Sequence, residues 1–94
     1  METKLDRQQV TEGMQKLNKW SLQNDQIERL LTFNNFTDAM KFVNKVAEIA
    51  EQEAHHPDIR IVYNRVTLGL STHDAGGITQ KDLQMARRID SLAA

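Results

Sequence analysis

All three histidines of this chain fall in two short segments. His55 and His56 close Glu51-Gln52-Glu53-Ala54-His55-His56-Pro57, and His73 closes Ser71-Thr72-His73. Imidazole changes charge between about pH 5 and 8, so such a cluster suits proton transfer near neutrality. Glu51 and His55 stand at i and i+4, which makes them neighbours on a helix surface. A helix C-terminus favours the protonated ring, as a general acid requires. Pro57 turns the chain off the helical path at His56, so the two adjacent rings are expected to point in different directions.

Other chemistries fit the same residues less well. Glu51, His55 and His73 could form a facial triad or a zinc site. However, the chain has neither an HExxH pattern nor a cysteine. Nucleophilic catalysis would pair Ser71 or Thr72 with His73, and strand alternation disfavours the Thr72 pairing more. No elbow motif supports either one. Gly76-Gly77 precedes a helix without a GxGxxG or P-loop pattern, so a simple turn explains it best. Asp82, at the third position after Thr79, has the form of a capping box, which by itself accounts for a carboxylate there. Trp20 could stack on a flat ligand, although a core anchor is the commoner use of tryptophan.

The elements that must position these groups follow from hydrophobic period. Asp6 and Gln9 resemble a capping box, and Val10, Met14 and Leu17 predict a first helix to about Asn18, with Gly13 weakening it. Trp20–Leu22, a turn at Gln23-Asn24-Asp25 and Ile27–Phe33 predict a hairpin, with Ile27, Leu31 and Phe33 inward and Arg29 as the exception. Thr37 is read as the N-cap of a long helix with Asp38 in its first turn. Ala39, Phe42, Val43, Val46, Ala47, Ile49 and Ala50 form its apolar face, and Pro57 is read as its stop. From Ile59 the period changes to two. Ile59, Ile61 and Tyr63 share one face, and after a turn near Asn64-Arg65 so do Val66, Leu68 and Leu70. Continued parity would set His73 opposite the leucines. After a turn cluster at Asp74–Gly77, Thr79 begins a last helix carrying Leu83, Ala86 and Ile89, with Leu92 or Ala93 extending that side. The expected fold is α+β: one four-stranded antiparallel sheet with three helices on one face, in the order α-β-β-α-β-β-α.

The totals bound the rest. Ninety-four residues are read as a single domain, 1–94. The net charge of -1 argues against nucleic-acid binding by counterion release. The absence of cysteine excludes disulfides and thiol chemistry. Neither a leader-like apolar run nor a membrane span is read, so the expected location is cytoplasmic, away from membranes.

One joint pattern goes further. Glu51-x3-His55-His56-Pro57-x5-Tyr63-Asn64-x-Val66-x3-Leu70-x-Thr72-His73-x2-Gly76-Gly77-x-Thr79-x2-Asp82 resembles the pterin-4a-carbinolamine dehydratase family. Trp20, Phe33, Phe36 and Phe42 are similar too, so the likeness runs from about Leu5 to Asp90. It implies dehydration of 4a-hydroxytetrahydrobiopterin to quinonoid dihydrobiopterin, without metal or organic cofactor, in tetrahydrobiopterin recycling. It further implies His55, His56, His73 and Asp82 as the catalytic set. Of these, His55 and His73 would be the acid–base pair, His56 would mainly hold the pterin, and Asp82 would orient a histidine. Glu51, Pro57, Ser71 and Thr72 would join the histidines around the substrate. A homodimer or homotetramer is implied, as is an aromatic amino-acid hydroxylase as metabolic partner. The second reading, of another class, is a non-catalytic oligomerisation or coactivator module of the same fold.

Overall fold

The computed structural model describes residues 3–17 and 19–93. Helix α1 spans Arg7–Met14, and the Asp6–Gln9 capping box is formed in both directions. It is shorter than its apolar spacing predicts: Gln15 caps it and Leu17 lies in a loose turn. The predicted end near Asn18 lies outside the described residues. Gly13 has a packing reason, since a β-carbon there would collide with the Leu83 side chain.

Strands β1 (Ser21–Gln23) and β2 (Gln26–Thr32) form the first hairpin, each offset by one residue from the predicted strand. Strands β3 (Asp58–Val62) and β4 (Arg65–Leu70) form the second. The turn is Tyr63-Asn64, so Tyr63 leaves the inward row and takes a positive φ of 51°. The sheet is antiparallel throughout in the order β1-β2-β4-β3. Pairing Ile27 with Leu70 and Leu31 with Val66 puts one apolar row on a single face, and the buried side chains of all three helices join it there. Arg29 shares that face and is held there by one arm of its guanidinium, while its buried Nε has no hydrogen-bond partner among the described residues. Its Nη1–H donates to Asp90 Oδ1 at 2.5 Å, beside a 2.7 Å bond from the Trp20 indole. Trp20 is therefore a core anchor that ties the sheet to the last helix.

Helix α2 runs Phe36–Glu53. Its N-cap is Asn35, whose side chain accepts from the Asp38 N–H, rather than Thr37. Ala47 is exposed at the margin of the apolar face, while Ala39, Phe42, Val43, Val46, Ile49 and Ala50 are buried as expected. The stop also comes earlier than Pro57. Ala54 takes the left-handed conformation (φ 51°, ψ 40°), and the Ala54 and His55 N–H groups both donate back to the Ala50 carbonyl. A non-glycine residue in that region costs roughly 1–2 kcal/mol, part of which glycine would recover despite its looser unfolded chain. Ala54→Gly is therefore expected to raise stability by about 0.5–1 kcal/mol in chemical denaturation.

Beyond β4 the chain leaves the sheet. Thr72 makes an isolated bridge to Gly77 around a single 3-10 turn at His73–Ala75, and Gly76 closes the turn at φ 79°. The parity placement of His73 therefore does not hold, because the strand ends at Leu70. Helix α3 (Gln80–Ala93) follows, burying Leu83, Met85, Ala86 and Ile89 against α2 and the sheet.

Candidate active site

The site is built on one buried carboxylate. Asp82, in the first turn of α3, is fully buried and accepts three hydrogen bonds. The Thr79 N–H donates to Oδ2 at 2.9 Å, the Thr72 hydroxyl to Oδ2 at 2.8 Å, and His55 Nε2 lies 2.5 Å from Oδ1. All three partners can act as donors, which suits an ionised carboxylate that only accepts. The hydroxyls line up accordingly. Lys81 N–H donates to Thr79 Oγ1, Thr79 Oγ1 lies 2.9 Å from Thr72 Oγ1, and the Thr72 proton goes to Asp82. Asp82 thus serves as the cap of α3 and as the anchor of His55.

This anchoring sets the imidazole. With Nε2–H given to Asp82, the Nδ1 of a neutral His55 is left as the proton-accepting atom. The His55 side chain is only 10% exposed, so its ring is fixed by packing as well as by the bond. Cap geometry makes the contact possible: the left-handed Ala54 swings His55 off the helix axis and across to α3. The expected Glu51–His55 neighbour pair is not formed for the same reason. Glu51 instead lies 2.5 Å from His56 Nε2, and both side chains are largely in water. An exposed ion pair of this kind contributes little. Glu51→Gln is expected to shift stability by under about 0.5 kcal/mol, as urea denaturation would show.

His55, His56, Ser71, Thr72 and His73 line one open cleft of roughly 560 Å3. Its floor and walls come from three places: the residues past α2, the end of β4 with the 3-10 turn, and the first turn of α3. Pro57 and Glu51 are not among its lining residues, and Asp82 is screened from it behind His55. Four further lining residues were not singled out from the sequence: Ala54, Asp74, Ala75 and Lys81. Lys81 had a signal available, since the residue beside a buried first-turn Asp82 must lie near whatever that carboxylate supports. The metal reading required Glu51, His55 and His73 together. Among the described residues no group of three or more histidine and carboxylate side chains is arranged to hold an ion.

The cleft residues all lie within a segment recognised by comparison with known proteins. The family model described as pterin 4 alpha carbinolamine dehydratase matches residues 3–92. This chain belongs to that family. A Thermomicrobium roseum protein, provisionally named a pterin-4-alpha-carbinolamine dehydratase, is 48% identical over 97% of this chain and 98% of its own length. The crystal structure of a transcriptional coactivator/pterin dehydratase from Brucella melitensis superposes with a TM-score of 0.94 at 32% identity, covering 98% of this chain and 100% of that one. A pterin dehydratase-like protein identified as a RuBisCO assembly factor in the alpha-carboxysome is 21% identical. It shares the fold at a TM-score of 0.70, over 82% of this chain and 92% of its own. Membership of the pterin carbinolamine dehydratases accords with a cleft built around imidazoles and hydroxyls. No helix among the described residues is long and apolar enough to cross a membrane.

Proposed function

We propose that this chain dehydrates 4a-hydroxytetrahydrobiopterin to quinonoid dihydrobiopterin by histidine acid–base catalysis, as a step in tetrahydrobiopterin recycling. The observation that supports this most is the Asp82-anchored His55 in the same open cleft as His73. Loss of water from a carbinolamine breaks the C4a–O bond, with one proton delivered to the leaving hydroxyl and one removed from N5. The nitrogen lone pair then forms the C4a=N5 double bond. Two imidazoles of opposite protonation state supply both transfers and exchange roles on turnover. A fixed His55 and a more exposed His73 divide naturally into an oriented group and one that equilibrates with solvent. His56 and the hydroxyls of Ser71 and Thr72 are the groups that hold the ring system.

Metal-free protein is expected to accelerate loss of water from synthetic carbinolamine. Activity lost to EDTA and restored by zinc would overturn the metal-independent mechanism. The name of the Brucella relative, which joins coactivator to dehydratase, favours a second reading as a binding module. A partner pull-down whose strength survives loss of both His55 and His73, with no carbinolamine turnover, would support that reading instead. The hydroxylase partner and a cytoplasmic location belong to the same proposal. So does a homo-oligomer joined through the free edges of β1 and β3, since unpaired edges of a small sheet favour pairing.

A further inference from the structure

Lys81 is the one lysine or arginine among the residues lining the cleft. It is half-buried in the first turn of α3, directly before the carboxylate that anchors His55. Its backbone N–H is used in the threonine chain, but among the described residues its ammonium makes no ion pair or hydrogen bond. The nearest acidic residue in sequence, Asp82, is spent on His55, Thr72 and Thr79. A lysine that packs its stem at the wall of a polar cleft while its charge stays unpaired is a donor without an acceptor.

We infer that Lys81 is a specificity-determining residue that donates to the oxygen edge of the bound pterin, an inference that rests on the dehydratase reading. The ligand chemistry selects that edge. An ammonium only donates, so it cannot serve the 2-amino group or the N3–H of a pterin, which also donate. The pyrimidine ring keeps two acceptors, N1 and the 4-oxo group, and only the 4-oxo group adjoins the reacting carbon. In the carbinolamine, that oxygen sits on the carbon next to the one bearing the 4a-hydroxyl. One ammonium with three N–H donors can therefore reach both oxygens. The contact to the carbonyl fixes which way the ring lies between His55 and His73. The contact to the hydroxyl places positive charge where negative charge grows as the C–O bond breaks.

The test uses two flat probes that differ at this edge, pterin with a 4-oxo group and 2,4-diaminopteridine with a donor in its place. Their affinities are read by fluorescence titration of the wild-type chain, Lys81→Met and Lys81→Arg. Wild type is expected to favour pterin over the diamino compound by about tenfold or more, as a charge-assisted bond implies. Lys81→Met should reduce that ratio toward one, chiefly by weakening pterin, and Lys81→Arg should restore most of it. In turnover, Lys81→Met should raise KM and lower kcat together, each by several-fold. A ratio unchanged in Lys81→Met, in protein that still binds pterin and turns over carbinolamine, would overturn the assignment of Lys81 and leave the dehydratase reading standing. Wild-type protein that neither binds pterin nor dehydrates carbinolamine would overturn both.

Discussion

A His55→Ala, His73→Ala double variant is expected to leave carbinolamine dehydration close to the uncatalysed rate. A positioned general acid or base contributes roughly 10²–10⁴-fold, so each single variant should already fall about 10²-fold in kcat/KM. The structure separates proton transfer from folding in this experiment. His73 is exposed on a 3-10 turn, and its removal takes little packing away. His55 is nearly buried, and its removal would leave Asp82 short of one donor. His55→Gln supplies the control, because the glutamine amide can donate to Asp82 Oδ1 in place of Nε2–H but does not titrate. A folded His55→Gln protein with near-background turnover is the expected outcome. Stopped-flow decay of carbinolamine beside a thermal melt reads both quantities. A His55→Gln variant within a few-fold of wild type would remove His55 from the proton-transfer pair.

Substitution of Asp82 should have the next largest effect, and its alanine and asparagine variants should differ. Asp82→Ala takes the acceptor from His55, Thr72 and the Thr79 N–H at a site with no solvent to replace it. Each buried donor left without its acceptor costs about 1–3 kcal/mol, so the three together cost roughly 3 kcal/mol or more. In a domain of this size that corresponds to a melting temperature lowered by about 12 °C or more. Asp82→Asn keeps the shape but has one acceptor and one donor end. The Thr79 N–H cannot reverse, so the carbonyl must face it, and the amide then points at His55 Nε2. That nitrogen becomes the acceptor, and Nδ1 carries the proton. The fold should survive Asp82→Asn within about 1–2 kcal/mol, while turnover falls about 10²-fold from the reversed tautomer. Nitrogen-15 chemical shifts of the His55 ring would show the exchange directly. Wild-type turnover in Asp82→Asn would mean that Asp82 acts only as a cap.

Much of the fold was legible because its signals are local. The Asp6–Gln9 capping box, the seven-element order and the inward rows of β2 and β4 all follow from residues close together in sequence. Errors gathered where two local signals competed. Asn35 and Thr37 are both good caps, and the asparagine took the role because it starts the helix at Phe36. At the other end, Pro57 marks where a helix cannot continue, not where it stops. Ala54 ended it first by adopting a conformation that alanine seldom takes, which no composition rule announces.

That one cap also divides what the sequence determined from what tertiary structure decided. Residue types alone pointed to proton transfer, since the chain offers clustered imidazoles and carboxylates and no thiol. Which carboxylate serves which imidazole was decided by packing. Helix spacing paired Glu51 with His55, but the left-handed turn at Ala54 moved His55 across to Asp82 and left Glu51 to His56. A hydrogen bond between side chains 27 residues apart depends on where α2 ends relative to α3, and periodicity along one helix carries no information about that distance. The buried pairing shields its carboxylate from water, whereas the local one stays solvated, so the three-dimensional partner is the one able to orient the ring.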